Sequence, residues 1–183
     1  MNDAGRESQA PAALPGKYLV ITIGGESYGI PVTKVRQIVR LLPITPVANM
    51  PPHVRGVINL RGRIVPLVDL RRRFGLPVVA DHDRTCIVVT EIGGGPVASR
   101  RLYALVVDGV DEVARFAAED IEPAPDFGGV IDARFITGMA KAGAGVRTLI
   151  DIDMIAADEL AAVVAPADGV PAGSPSPGSP PST

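Results

Sequence analysis

The stretch 56–70, GVINLRGRIVPLVDL, constrains this chain more than any other part of it. Two apolar runs, Val57-Ile58-Asn59-Leu60 and Ile64-Val65-Pro66-Leu67-Val68, flank Arg61-Gly62-Arg63. Short runs rich in Val and Ile, bounded by turn residues, predict buried strands. Gly62 supplies the positive φ that a tight turn requires, so the segment predicts a stiff hairpin with Arg61 and Arg63 at its corner. A charge on a rigid corner loses little further entropy when it pairs, which makes Arg61 a candidate recognition residue. The alternative is a solvated turn arginine.

Around this hairpin the pattern is mostly short strands. Tyr18-Leu19-Val20-Ile21-Thr22-Ile23 meets Gly24-Gly25 before Tyr28-Gly29-Ile30, a second hairpin signal. Val32, Val35 and Ile38 fall three apart and predict a two-turn amphipathic helix. Asp69 predicts an N-cap for a short helix from Leu70 to Phe74, stopped by Gly75. Asp153 predicts the cap of a final helix carrying Ile155, Leu160 and Val164 and halted by Pro166. Residues 1–16 are polar with Pro11 and Pro15, and 166–183 are almost wholly Pro, Gly, Ser and Ala. Both predict disordered ends flanking a folded unit at 17–165.

The chain echoes itself. Tyr28, Ile30, Val32, Val35 and Ile38 recur as Tyr103, Leu105, Val107, Val110 and Val113, an offset of 75 residues. Val54, Gly56, Leu67, Asp69 and Leu70 recur as Ile136, Gly138, Leu149, Asp151 and Ile152, an offset of 82. Two copies are too few for a solenoid, so the echo predicts two packed β-rich units.

Composition narrows the function classes. With 183 residues, 18 Lys+Arg against 20 Asp+Glu and a net charge of −2, the chain lacks the basic excess of a nucleic-acid binder. Its single cysteine, Cys86, lies in an apolar run and excludes an intrachain disulfide. The N-terminus is polar rather than basic then apolar, so no signal peptide is expected. No apolar run approaches the roughly 20 residues of a membrane span. A cytoplasmic protein is the expectation.

Reactive constellations are sparse. Gly25-Glu26-Ser27-Tyr28-Gly29 matches the G-x-S-x-G elbow, with Asp69 and His82 downstream, so a small hydrolase using Ser27 is an alternative reading. That elbow needs a strand-to-helix turn above a parallel sheet, whereas Ser27 falls in a predicted hairpin. Asp81-His82-Asp83 has no second His or Cys cluster to complete a metal site. Gly93-Gly94-Gly95 lacks the Gly-Lys-Ser/Thr of a phosphate loop, and Arg71-Arg72-Arg73 reads as a solvated helix face. No cofactor is expected.

The 56–70 segment closely resembles the signature of the CheW family of chemotaxis coupling proteins. Further matching pieces follow in order: Tyr28-Gly29-Ile30, Val35-Arg36-Gln37-Ile38, Phe74-Gly75-Leu76 and Val106-Val107-Asp108-Gly109-Val110. Beyond these lie Ile121-Glu122-Pro123-Ala124-Pro125, Ile136-Thr137-Gly138 and Leu149-Ile150-Asp151-Ile152. The resemblance implies a mainly β fold of two SH3-like five-stranded β-barrel subdomains on a shared core, with short helices and a C-terminal helix. It implies a non-enzymatic adaptor that couples chemoreceptor cytoplasmic tips to the regulatory domain of a CheA-type histidine kinase. Ring-like self-association in arrays at the inner face of the membrane is also implied.

By that resemblance the protein-binding positions are Val35 in a receptor-facing groove, Ala104 near it, Gly56 and Val57 at a strand entry, and Arg61 in the turn. Gln37 stands where the family usually has glutamate. An internal pair with Arg61 would then lose its charge and be weaker. The loop 93–101 and the Pro/Ser tail are longer than family members often show.

Overall fold

The computed structural model describes residues 12–93, 100–125 and 131–157. The strands in chain order are β1 (Gly16–Ile23), β2 (Glu26–Pro31), β3 (Val35–Arg40), β4 (Val54–Leu60), β5 (Arg63–Asp69), β6 (Cys86–Ile92), β7 (Arg101–Val107), β8 (Gly109–Phe116), β9 (Ile121–Glu122), β10 (Ile136–Ala142) and β11 (Gly145–Ile150). Helix α1 spans Leu70–Arg73 and α2 covers residues 152–157. The chain is mainly β, as expected.

The two units are interleaved rather than set side by side. One sheet has the order β8-β1-β2-β11-β10-β9 and the other β3-β6-β7-β5-β4. The 75- and 82-residue offsets carry β2, β3, β4 and β5 onto β7, β8, β10 and β11. With β1 and β6 opening the two copies, the first sheet joins β1 and β2 of one copy to β8–β11 of the other, and the second joins β3–β5 to β6 and β7. The exchange is closed by two parallel pairs, β2 with β11 and β5 with β7. Gly29 faces Leu149 in one pair, and their counterparts Ala104 and Leu67 face each other in the second.

Even the irregularities repeat. The register shifts of β3 and β8 leave Arg36 and Asp111 as the extra residues, 75 apart. Those of β4 and β10 leave Arg55 and Thr137, 82 apart. A bulge twists its strand and is a built feature of a sheet. Four bulges at matching positions make the duplication explicit.

Three apolar clusters hold the layers together. The largest lies between the sheets, with Leu19, Ile21 and Ile30 from one and Val68, Val88 and Leu105 from the other. Phe74 and Phe135 also join it, their rings 6.4 Å apart, with Tyr28 5.4 Å from Phe74. The outer face of the β3–β7 sheet covers its own cluster, including Ile58, Leu67, Ile87 and Val106. The other sheet covers a smaller one of Tyr18, Phe116, Ala140 and Leu149. Burying each large side chain is worth about 1.5–3 kcal/mol, so the central layer dominates. We call the two sheets with their outer clusters lobe A (β1, β2, β8–β11) and lobe B (β3–β7). Strand pairing ends at edge strands in both lobes among the described residues.

Two local expectations need correction. The segment from Val32 is a single 3-10 turn, Val32–Lys34, followed by β3, not a two-turn helix. Pairing of Val-Arg-Gln-Ile-Val-Arg with β6 overrides the three-residue spacing, because β-branched residues fit a half-buried pleat. The cap of α2 is Asp151, whose Oδ1 accepts from the amides of Asp153 (2.8 Å) and Met154 (3.1 Å). Asp153 instead pairs with Lys34 and accepts from the Gly93 amide. Asp69 caps α1 as predicted, accepting from Arg71 and Arg72, and Gly75 follows with φ +68. Leu160, Val164 and the 166–183 tail lie outside the described residues, as do residues 1–11 of the N-terminal arm.

Candidate functional site

The β4–β5 hairpin is tighter than its sequence predicts. Leu60 pairs directly with Arg63, leaving Arg61 and Gly62 as a two-residue turn. Both have positive φ, +52 and +83, as the twist-matched hairpin turn requires. For an arginine that conformation costs about 1–2 kcal/mol. The Asn59 Oδ1 accepts from the Gly62 amide at 2.8 Å and offsets part of it. Arg61 is exposed at this tip, with Ile64 beside it at 69% exposure.

The other candidate residues divide by depth. Val57 is half-buried opposite Pro66, and its amide and carbonyl both bond Thr45 at 2.9 Å. Gly56 is buried with φ +138, and Thr45-Pro46 crosses where its side chain would be. Val35 and Gln37 are half-buried on the edge strand β3, Val35 against the central core and Gln37 opposite Val89. Ala104 is fully buried between Leu67 and Val89. Only Arg61 of the six stands freely at the surface; Ala104 and Gly56 shape the sheet from behind.

Among the described residues no ion pair or hydrogen bond joins Gln37 to Arg61. The neighbouring bulge residue Arg36 binds Glu91 at 2.5 Å, and Arg100 reaches the same carboxylate at 3.2 Å. The Arg36 hydrogen bond holds the Glu91 carboxyl below its usual range against the cost of desolvation. Arg63 was placed at the hairpin corner from sequence, whereas Arg36, Arg100 and Arg101 were not named there as binding residues. Their signal was the local charge balance, which the net value averages away.

Among the described residues, four of the eight exposed large apolar residues obey the repeat. Ile64 corresponds to Val146, and Ile38 on β3 to Val113 on β8. Each lobe thus presents one bare apolar side chain on its hairpin and one on its edge strand. Single exposed apolar residues are ordinary, but matched pairs on both lobes mark two comparable faces.

The catalytic alternative finds no support in the geometry. Ser27 pairs with Thr22 inside the β1–β2 hairpin, and a strand rather than a helix follows it. Asp69 is occupied as a helix cap, and the His82 Nδ1 accepts from the Arg84 amide. Asp81 is engaged by both guanidinium nitrogens of Arg55. Among the described residues no three His, Cys, Asp or Glu side chains could hold a metal ion, and no helix is long and apolar enough to cross a membrane.

Comparison with known proteins agrees with this architecture. Residues 17–160 match the model of the CheW-like domain. The chain is 36% identical over 148 residues to the chemotaxis protein CheW of Klebsiella aerogenes, covering 81% of this chain and 86% of that protein. Protein FrzA of Myxococcus xanthus is 28% identical over 137 residues, covering 75% and 81%. The crystal structure of the scaffolding protein TtCheW from Thermoanaerobacter tengcongensis superposes with a TM-score of 0.70 at 32% identity, covering 78% of this chain and 92% of that one.

Proposed function

The chain belongs to the family of CheW-like domains, and on that premise we propose that it is a non-enzymatic adaptor coupling chemoreceptor cytoplasmic tips to a CheA-type histidine kinase. The observation that carries this reading is the pair of matched faces, Ile64 and Ile38 on lobe B against Val146 and Val113 on lobe A. Two docking surfaces fixed across one continuous core can hold two partners in constant relation. Receptor conformation then biases kinase output through a coupling of about 1–3 kcal/mol, and repetition in an array compounds weak contacts.

In this reading Arg61 contacts a partner directly, Val35, Gln37 and Val57 form the half-buried ground beside it, and Gly56 and Ala104 set the backbone beneath. The working unit is 17–165, recruited to receptor arrays at the inner face of the membrane. The test is co-capture of a kinase regulatory domain and a receptor tip by purified protein. Arg61→Glu should keep the melting temperature and lose the ternary complex. Capture of both partners at wild-type level by that variant defeats the reading.

A further inference from the structure

The near-neutral net charge conceals a separation of charge between the lobes. Residues 32–107, which build lobe B, hold twelve Lys and Arg against four Asp and Glu. The rest of the chain, which includes all of lobe A, holds six against sixteen. Eleven of the twelve lobe B cations are arginines.

The strand directions gather much of this charge at one end of lobe B. Arg63 begins β5, Arg101 begins the parallel strand β7, Arg100 precedes it, and Arg61 occupies the adjoining turn. Ile92, at the end of β6, pairs with Arg101, and Thr90 pairs with Val35 beside the Arg36 bulge. Among the described residues five arginines therefore share a rim with Glu91 and with Asp153, which Lys34 and the Gly93 amide already hold. Arg36, Arg61, Arg63, Arg100 and Arg101 are all exposed.

The fold itself does not require this charge. The repeat carries Arg36 onto Asp111, Arg101 onto Glu26, and Arg61 and Arg63 onto Gly143 and Gly145. Lobe A builds the same rim with acids and glycines. The Arg36–Glu91 pair is replaced there by the Thr22 hydroxyl donating to Asp111 at 2.7 Å. An arginine cluster that the architecture does not need is a surface shaped for something outside it.

We propose that this rim of lobe B docks an acidic segment of a partner protein; the proposal rests on the adaptor reading and names the chemistry of one of its partners. Glu91 already shows the mode, one carboxylate held by two guanidinium groups. Bare Ile64 lies beside the arginines, which suits a peptide with both acidic and apolar side chains. Among the described residues the rim offers no aromatic platform for stacking bases, since Tyr103 is buried, and no aromatic belt for a lipid interface. The matching rim of a second copy is a poor occupant. In the matching rim of lobe A, Asp111 is already bound by Arg84, which leaves Glu26 alone.

The test is fluorescence anisotropy of a labelled poly-glutamate peptide titrated with the full chain. The peptide should bind, weaken as salt rises, and bind about tenfold more weakly to Arg63→Glu/Arg101→Glu. Arg40→Glu/Arg84→Glu removes the same net charge at the opposite end and should change affinity less than about twofold. If the reversal variant loses its cooperative melt, Arg63→Gln/Arg101→Gln gives the same comparison. Equal loss in both double variants, tighter binding to poly-uridine RNA or phosphatidylserine vesicles, or rim-dependent dimers in sedimentation would each overturn the proposal. Absent peptide binding with intact kinase and receptor capture removes the rim alone. Peptide binding without that capture supports the rim and removes the coupling role.

Discussion

The carbonyl oxygen of Thr45 occupies the space that a Cβ on Gly56 would need, with Pro46 Cα close behind at 3.0 Å. The contact fixes the crossing segment that covers the β4 edge, where Thr45 and Val57 exchange two hydrogen bonds. Lobe A repeats the device more loosely, with Glu122 O 3.0 Å from the equivalent point on Gly138.

Gly56→Ala should therefore cost more than about 3 kcal/mol, since both its φ and its backbone neighbour oppose a side chain. Gly29→Ala should cost only about 1–2 kcal/mol. The obstacle there is a terminal methyl of Leu149, 2.6 Å from the new Cβ, and the counterpart position Ala104 already carries that Cβ. Chemical denaturation of the two variants reads the difference. Equal losses would mean that the 45–46 crossing yields readily.

The helix α2 offers a second ranking. Asp151→Ala should cost about 1 kcal/mol, because two amides lose their acceptor. Asp153→Ala should cost less than that, as its Lys34 pair is partly exposed. Melting temperatures of the two single variants give the order, and the reverse order would restore Asp153 as the cap.

Acid stability should report Asp81. Its folded carboxyl lies below the ordinary value, chiefly because Arg55 hydrogen-bonds it, with desolvation opposing. A depressed folded value adds stability above the unfolded pKa near 3.8, and that stability is lost as pH falls through the folded one. Asp81→Asn should thus be less stable than wild type at neutral pH, and the two should converge in acid. A constant gap between their stability curves down to low pH would rule the linkage out.

Hairpins and the first helix were legible in the sequence because their signals are local. Gly24-Gly25, Gly62 and the Asp69 cap each act within a few residues. The strand exchange was not legible, since Gly29 and Leu149 are joined only by tertiary pairing, and the repeat offsets are satisfied equally by side-by-side units. Val32 and Val35 misled because a 3-10 turn running into a strand mimics helical spacing over one turn. Arg61 stood out through its turn, whereas Arg63 and Arg101 are brought together by two parallel strands far apart in the chain.

The crossed strands make each lobe hostage to the other. A cut in the 74–85 connection would yield fragments that each own parts of both sheets, so neither can mature alone and both must zip together to recover either face. Prying the two repeat copies apart means tearing four ladders, β1 from β8, β2 from β11, β3 from β6 and β5 from β7, not opening a hinge.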